Sequence, residues 1–379
     1  MKKTEIIQIQ GTDYKEMTKQ LLEECSFATR IPSKNSLIGI KPNLVAPVPA
    51  EFGGTTHPEV VAGIVEYLQE HGFTRMQIME GSWVGDKTEE SFDVCGYRTL
   101  SEQYGVPLVD AQKEKSVPVQ CGDMELQICE CARKVDFMIN VPVMKGHCQT
   151  KITCALKNMK GLLPNKEKRH FHAMGLHRPI AHLGLGIHQD FILVDNICGD
   201  LDFEDGGNPF VMNRLFAGLD PVLIDAYVCA ELHYRAADVP YVKMAEELGV
   251  GSADLTQLSI RQIGEEGEKR EIPAKRKIVE LQDAVEEVES CSACYGYLIP
   301  ALDRLKEEGL LQKLDEKICI GQGYRGKHGA LGVGSCTSGF ASSLKGCPPT
   351  DEQMYEFLKK YIVDKRKAET ENSARGEKR

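Results

Sequence analysis

The sequence lacks long hydrophobic runs, an excess of positive charge and, after its first residues, the apolar segment typical of a secretory leader. No stretch approaches the roughly 18 uninterrupted apolar residues of a membrane-spanning helix, so we expect no membrane insertion. The formal net charge of −10 argues against the basic surface that nucleic-acid-binding proteins use. No apolar segment follows the basic residues at the N-terminus, which argues against a signal peptide. These absences predict a cytoplasmic protein that binds neither nucleic acid nor membrane.

Fingerprints of nucleotide cofactors are also missing. The segments GLGIH and GVGSC contain clustered glycines, but neither has the strand, G-x-G-x-x-G turn and helix that bind a dinucleotide. The sequence therefore gives no sign of a nicotinamide or flavin cofactor.

Predicted strands and helices alternate along the first three quarters of the chain. SLIGIKPNLV predicts a buried strand that stops at its proline, and THPEVVAGIVEYLQEHG predicts a helix with Thr56 as its N-cap. TKITCALKNMKG predicts another helix. Such alternation is typical of an α/β fold with a mainly parallel, doubly wound sheet, which we assign to residues 1–285.

A second, smaller α/β domain is predicted after a charged segment. Its expected elements are a helix beginning at CSAC, two short strands and a final helix, and its predicted bounds are residues 286–363. Thr350 and Gln353 have the spacing of a capping box at the start of the final helix. Residues 364–379 are charged and lack apolar periodicity, so we expect a mobile tail.

Polar side chains follow several predicted strands where those strands end. The carboxyl ends of parallel strands share one edge of the sheet, and ligands bind outside that edge. Lysines supply positive charge there, and histidine can move a proton near neutral pH. We therefore predict a pocket for a small anionic substrate with Lys145, His147 and Lys157 as catalytic residues. The predicted substrate-binding residues are Lys41, Asn43, His57, Glu80 and Asp195.

Alternatives remain for this polar cluster. The lysines can instead pair with neighbouring carboxylates and only stabilise the edge of the sheet. We expect Lys151 and Lys160 to be solvated, and His170 and His188 to face solvent or lie in loops. The segment LDFEDGGNPF predicts a flexible loop at the rim of the site, with cation binding by its acidic residues as an alternative.

Five of the fourteen cysteines fall in the last quarter of the chain. Cys291 and Cys294 form a C-x2-C turn that directs two sulfurs toward one centre, which suits zinc or an iron–sulfur cluster. Cys336 and Cys347 are flanked by glycine or proline, which allow the backbone to approach a cluster. Zinc ribbons usually carry two close pairs, whereas this segment has one. We therefore predict that these four cysteines bind a [4Fe–4S] cluster, while Cys319 lies inside an apolar strand as a core residue.

Other states of these cysteines stay open. Zinc binding and unmetallated thiols are the alternatives to the cluster. Disulfides are rare in a reducing cytoplasm, so we do not expect the pair in CSAC to be bridged.

Six motifs of the first domain occur together in a fixed order: KPNLV, THPEVV, MEG, INVPVMKGH, TCALKNMKG and GLDPVLIDAYV. Over Ile38 to Val228 the chain resembles the family named domain of unknown function 362. That resemblance implies an iron–sulfur centre, although the tail departs from the ferredoxin-like segments of many members. Its GCPP is similar to a cluster-ligating motif of small respiratory-complex and hydrogenase subunits. A weaker similarity to the nickel-pincer lactate racemase family concerns the fold alone.

Two kinds of function fit these features. The first is an iron–sulfur oxidoreductase, or a cluster-dependent enzyme acting on a small anionic substrate. It would work with a redox partner such as a ferredoxin, and the small domain would place the cluster at the mouth of the pocket. The second is a non-catalytic electron carrier, a metal or cluster chaperone, or a zinc-binding protein. Polar residues at the strand ends favour the enzyme, because a carrier needs only a cluster near its surface.

Overall fold

The computed structural model describes residues 1–264 and 270–376. Contacts divide the chain into two compact units. The first unit is Met1–Phe171 with His177–Ala274, and the second is His172–Leu176 with the chain from Lys275 onward. The domain boundary predicted after residue 285 lies close to this division and stays a prediction. The predicted mobile tail overlaps the last helix, and its final residues, 377–379, lie outside the described residues.

Twelve strands and ten helices are formed by the described residues between 1 and 264. The strands are β1 (Glu5–Gln10), β2 (Ile38–Pro42), β3 (Met76–Glu80), β4 (Leu108–Asp110), β5 (Ser116–Cys121), β6 (Met124–Cys129), β7 (Phe137–Val141), β8 (Lys145–His147), β9 (Lys151–Thr153), β10 (Phe191–Asp200), β11 (Pro209–Gly218) and β12 (Ser259–Ile263). The helices are α1 (Tyr14–Glu24), α2 (Pro58–Glu70), α3 (Thr88–Val94), α4 (Tyr97–Tyr104), α5 (Glu130–Lys134), α6 (Ala155–Asn158), α7 (Asn165–Met174), α8 (His177–Gly186), α9 (Pro221–Glu231) and α10 (Pro240–Glu247).

An eight-stranded sheet forms the centre of the first unit, in the order β12-β1-β11-β10-β7-β2-β3-β4. Strand β11 runs antiparallel to β1 and β10, and every other neighbouring pair is parallel. Two hairpins, β5-β6 and β8-β9, stand outside this sheet. The predicted α/β fold with a large, mainly parallel sheet is confirmed.

Helices cover both faces of this sheet. Ile139 of β7 belongs to a buried apolar cluster that includes Leu21 of α1 and Val61 of α2. The next residue, Asn140, points to the opposite face, because successive side chains of a strand alternate. There its amide donates to the carbonyl oxygen of Ala155 in α6 at 2.9 Å. The sheet is therefore doubly wound.

Two local predictions for the first unit are wrong. Helix α2 begins at Pro58 with His57 as its N-cap, not Thr56. The Thr56 hydroxyl instead donates to the carbonyl oxygen of Val141 and accepts from the backbone N–H of Asn43. These two hydrogen bonds join the ends of β2 and β7. The segment TKITCALKNMKG is not one helix, because its start forms strand β9 and only its middle forms α6.

The second unit contains a four-stranded parallel sheet in the order β13-β14-β15-β16. Thr350 and Gln353 form the predicted capping box at the start of its last helix, with each side chain accepting from the other residue's backbone N–H. The elements are β13 (Val285–Glu287), β14 (Ile318–Ile320), β15 (Leu331–Val333), β16 (Ser342–Leu344), α11 (Lys277–Asp283), α12 (Ser292–Glu307) and α13 (Asp351–Gly376).

Membrane-spanning segments are not found in the described part of the chain. None of its helices combines the length and the apolar character that crossing a bilayer requires.

A buried carboxyl group connects α9 to the start of α6. Asp225 is fully buried and accepts hydrogen bonds from the backbone N–H groups of Ala155 and Leu156 at 2.7 and 3.2 Å. Burial raises the pKa of Asp225 to about 7, although the two amides oppose that shift. Between about pH 4 and 7 the folded protein therefore holds a proton here that the unfolded chain has released.

We predict that Asp225 makes the protein lose stability as the pH rises through this window. The folded state binds more protons than the unfolded state there, so the free energy of unfolding falls by up to about 1.4 kcal/mol per pH unit. Asp225→Asn cannot ionise and should gain stability relative to the wild type from pH 4 to pH 7. Urea unfolding at several pH values measures this, with Asp123→Asn in the exposed β5-β6 turn as the control. Parallel curves for the wild type and Asp225→Asn would contradict the prediction.

Candidate functional site

The predicted polar residues of the first unit lie near the point where the order of the strands in the sheet reverses. From β2 the chain proceeds to β3 and β4 on one side, whereas β7, β10 and β11 follow on the other. Strands β2 and β7 are parallel neighbours, so their carboxyl ends flank the switch point at which doubly wound sheets bind ligands.

Lys41 at the end of β2 forms a buried ion pair with Glu80 at the end of β3. The Lys41 Nζ lies 2.7 Å from Glu80 Oε2, and the two side chains are 0% and 3% exposed. Burial lowers the pKa of Lys41, and the Glu80 carboxylate opposes that change. Glu80 also accepts from the backbone N–H groups of Leu44 and Gly81. The charge of Lys41 is thus balanced within the protein.

An amide network that sequence reasoning missed continues from this ion pair. The Lys41 Nζ donates to Asn158 Oδ1 at 3.4 Å, and Asn158 donates to Asn140 at 2.7 Å. Asn140 in turn donates to Gln189 at 2.6 Å. A Cβ at Gly161 would lie 2.1 Å from the Glu80 carboxylate, so only glycine fits there. The sequence signal that could have indicated this network is the polar pair Lys157-Asn158 inside a mostly apolar motif.

Lys168 of α7 is also buried, and the sequence gave no indication of this. It donates to the carbonyl oxygens of Gly81 and Ser82 at 2.7 and 2.9 Å. Burial lowers its pKa to about 8. The segment after β3 is therefore held from both sides, by Glu80 and by Lys168.

Lys145 was predicted to lie at the end of the strand that is now β7. It instead begins the β8-β9 hairpin. Its Nζ donates to the carbonyl oxygens of Gly54 and Glu204, both at 2.6 Å, and to Asn43 Oδ1 at 3.2 Å. All three of these acceptor oxygens are neutral. Burial, followed by the nearby charge of Lys157, lowers the pKa of Lys145 to about 7. Lys145 can therefore change its protonation state near neutral pH.

His147 and Cys148 lie beside the carboxylate of Glu204. The Cys148 thiol donates to Glu204 Oε1 at 3.3 Å, and the Cys148 backbone N–H donates to Oε2 at 3.1 Å. His147 Nε2 lies 3.5 Å from Oε1. The segment predicted to rim the site thus does so through Glu204, and Cys148 is a member that the sequence gave no reason to select.

Lys157 of α6 is near the same carboxylate. Its Nζ donates to the Thr153 hydroxyl at 3.2 Å. Burial lowers the pKa of Lys157 to about 8, against the opposing charges of Glu204 and Cys148. Lys160, which was expected to be solvated, is only half-exposed, and burial beside Lys157 lowers its pKa well below the usual range.

His57 and Asp195 form a separate buried pair. His57 Nδ1 lies 2.9 Å from Asp195 Oδ2, and the His57 backbone N–H donates to the same oxygen at 2.8 Å. Burial disfavours the charged imidazolium, but the Asp195 carboxylate outweighs it and raises the pKa of His57. The ring is therefore fixed in place and favours protonation. His170 and His188 are 55% and 84% exposed, as predicted.

The predicted cluster cysteines lie around the start of α12 and two loops of the second unit. Cys291 is the N-cap of α12, and Cys294 lies in its first turn. A Cβ at Gly334 would lie 3.3 Å from the Cys294 sulfur, so the loop that carries Cys336 approaches this turn closely. Gln322 donates to the Cys291 sulfur at 3.4 Å.

Hydrogen bonds join the loop of Cys336 to the loop of Cys347. The Ser335 N–H and hydroxyl both donate to the carbonyl oxygen of Gly346, at 2.8 and 3.0 Å. Burial raises the pKa of Cys294 to about 11, and the charges of Cys291, Cys347 and Cys336 add to this shift. The four predicted thiols therefore share one electrostatic environment.

Cys319 lies in a different environment. It is a half-buried residue of β14, and its side chain hydrogen-bonds to Tyr324. The charges that act on it include Glu286 but none of the four cysteines above.

One compact group of possible metal ligands lies in the first unit. Among the described residues, His147, Cys148 and Glu204 are the only histidine, cysteine and acidic residues that offer three or more ligand atoms within 4.8 Å of one another.

We predict that Lys41→Ala lowers the free energy of unfolding by about 3–5 kcal/mol, because it leaves the Glu80 carboxylate buried and unpaired. The double variant Lys41→Met/Glu80→Met should lose less, since no charge is left alone. Lys87→Ala, which removes an exposed pair with Glu90, should cost less than about 1 kcal/mol. Equal losses in Lys41→Ala and the double variant, measured by denaturant unfolding, would count against this role of the pair.

We also predict that Glu204→Gln lowers the pKa of Lys157 below its value of about 8. The Glu204 charge favours protonated Lys157, so its removal favours the neutral amine. NMR titration of protein with labelled lysine side chains measures the change, and Glu125→Gln on the exposed part of β6 is the matched control. An unchanged titration midpoint would show that Glu204 does not act on Lys157.

Comparisons with known proteins place the first unit in a family. The model of the family described as Domain of unknown function (DUF362) matches residues 38–230. A thylakoid-associated protein from Synechocystis is 25% identical over 247 residues, which cover 63% of this chain and 76% of that protein.

A solved structure gives a weaker match. The lactate racemase apoprotein from Thermoanaerobacterium thermosaccharolyticum aligns with 13% identity and a TM-score of 0.36. The alignment covers 64% of this chain and 56% of the racemase chain, and a likeness of this size says nothing about activity. The family match covers all six motifs on which the predicted resemblance rests, and that prediction is confirmed. The chain belongs to the family described as Domain of unknown function (DUF362).

Proposed function

We propose that this protein is an iron–sulfur enzyme that acts on a small anionic substrate. In this proposal Cys291, Cys294, Cys336 and Cys347 hold one [4Fe–4S] cluster. The observation that carries the proposal is the convergence of these four thiols from one helix turn and two hydrogen-bonded loops.

The second unit offers more than sulfur atoms to such a cluster. Cys291 and Cys294 lie at the N-terminus of α12, where the helix dipole stabilises thiolates. Gln322 donates to the Cys291 sulfur, and Arg325 forms a side-chain hydrogen bond with Cys336. Donors of this kind stabilise the negative charge of a bound cluster and tune its potential. Because four cysteines would occupy all four irons, a bound cluster would supply electron transfer.

The first unit supplies groups for acid–base chemistry. Lys145 and Lys157, with pKa values of about 7 and 8, are present in charged and neutral forms near neutral pH. A charged lysine binds an anion, and a neutral one accepts a proton. Lys41 differs, because Glu80 already balances its charge. We therefore assign the substrate contacts to Lys145, Lys157 and His147 in preference to Lys41.

A location in the cytoplasm and a redox partner such as a ferredoxin belong to the same proposal. All fourteen cysteines lie within the described residues, and none of them forms a disulfide there. Free thiols in this number suit a reducing compartment. A non-catalytic electron carrier would need the cluster but would have no use for lysines of lowered pKa.

The test is metal analysis of protein purified without oxygen. We expect about four irons and about four acid-labile sulfides per chain. Serine at any one of Cys291, Cys294, Cys336 or Cys347 should remove more than half of the iron. Cys319→Ser, in the neighbouring strand, is the matched control and should keep it. About one zinc per chain without sulfide would overturn the cluster, and loss of iron in Cys319→Ser would show that this residue is a ligand.

A further inference from the structure

We propose that the first unit contains a second metal site, a zinc site formed by His147, Cys148 and Glu204. One ring nitrogen, one sulfur and one carboxylate oxygen of these residues lie within 4.8 Å of one another. Within the described part of the chain, no other group of histidine, cysteine and acidic ligand atoms is this compact. The site shares no residue with the four cysteines of the second unit and does not rest on the proposed cluster.

Two distances from the Cys148 sulfur are close to those between ligands on one ion. Cys148 Sγ lies 3.3 Å from Glu204 Oε1 and 3.9 Å from His147 Nδ1. Ligands at zinc bond lengths of about 2.0–2.3 Å in a tetrahedron are about 3.6 Å apart. A small movement of the Glu204 side chain, which is 24% exposed, would equalise the two distances.

The hydrogen bonds of His147 show which of its ring nitrogens carries the lone pair. The backbone N–H groups of Gln149 and Thr150 donate to His147 Nδ1 at 3.0 and 3.2 Å. Nδ1 therefore carries a lone pair and no proton, which is the form that a metal binds. A metal at Nδ1 would replace these two hydrogen bonds, whereas binding at Nε2 would require the ring proton to move.

The three donors select the kind of metal. A thiolate and an imidazole suit borderline ions such as Zn²⁺ or Co²⁺, and they disfavour Mg²⁺ and Ca²⁺, which prefer oxygen. Adjacent residues of one short hairpin supply two of the ligands, and the loop after β10 supplies the third. The paired strands of the hairpin hold His147 and Cys148 in place, and the loop adds Glu204 to complete the site.

Three protein ligands leave the fourth position of a tetrahedral zinc ion for water or substrate, which is the arrangement of catalytic zinc sites. Lys157 is close enough to feel the charges of both Glu204 and Cys148. A bound anion would therefore meet the metal together with a lysine. The ligand class that fits this combination is a small carboxylate.

The test is metal binding by the full-length protein after chelation and removal of the chelator. With Co²⁺ added, the wild type should show stronger thiolate-to-cobalt charge-transfer absorption than Cys148→Ser, in which only the cysteines of the second unit can contribute. After equilibration with Zn²⁺ and gel filtration, Cys148→Ser should hold about one zinc fewer per chain than the wild type. Glu204→Gln should keep the thiolate band but weaken the affinity roughly tenfold or more.

Two cysteine variants separate this site from others. Cys198→Ser removes another cysteine of the first unit and should keep the wild-type zinc content. Cys291→Ser tests whether the metal lies in the second unit, and it should also keep the zinc that Cys148→Ser loses. Equal zinc contents in the wild type and Cys148→Ser, or unchanged affinity in Glu204→Gln, would overturn the proposal. Glu204→Gln changes a partly exposed side chain and should fold normally. The second result therefore does not depend on how Cys148→Ser folds.

Discussion

The buried ion pair between Lys41 and Glu80 organises the carboxyl edge of the large sheet. Buried charges are tolerated when additional hydrogen bonds satisfy them, and here each proton of the Lys41 ammonium and both oxygens of the Glu80 carboxylate have a partner. Glu80 accepts from two backbone amides after β2 and β3, while Lys41 donates to the Pro42 carbonyl oxygen and to Asn158. The glycine at 161 gives the pair its space. Three sequence motifs that are far apart along the chain, KPNLV, MEG and TCALKNMKG, therefore meet at a single interaction.

That pairing divides the lysines of the site into two groups. Lys41 has a carboxylate at 2.7 Å, so its charge serves the fold. Lys145 donates to neutral oxygens, and Lys157 donates to a hydroxyl. In these contacts no hydrogen-bonded carboxylate offsets the effect of burial on their pKa values. Their pKa values fall to about 7 and 8 for this reason. Such lysines can exchange a proton with a bound molecule at physiological pH, which structural lysines with a paired carboxylate do not do.

The fold class and the edge at which the polar residues gather were predictable from the sequence, because both follow from the alternation of strands and helices. The family was predictable for a related reason, since its six motifs mark the strand ends. The β8-β9 hairpin was not predictable, because Ile152 and Leu156 also satisfy a helical period, and tertiary pairing of Lys145 with Thr153 overrides that preference. The contacts of Asn140 and Lys168 depend on packing between distant segments, which residue spacing does not report. Cys148 was missed because its partner, Glu204, is 56 residues away.

Glu204 joins the two chemical parts of the first unit. Its backbone oxygen accepts from Lys145, while its carboxylate holds the Cys148 thiol and faces His147. A proton on that thiol and a metal ion on the sulfur are therefore alternatives at one position. A dication would add positive charge near Lys157, which feels Cys148 and Glu204 already, and would lower its pKa further. Metal binding and the neutral form of that lysine would then favour each other, whereas a protonated lysine would oppose the bound ion.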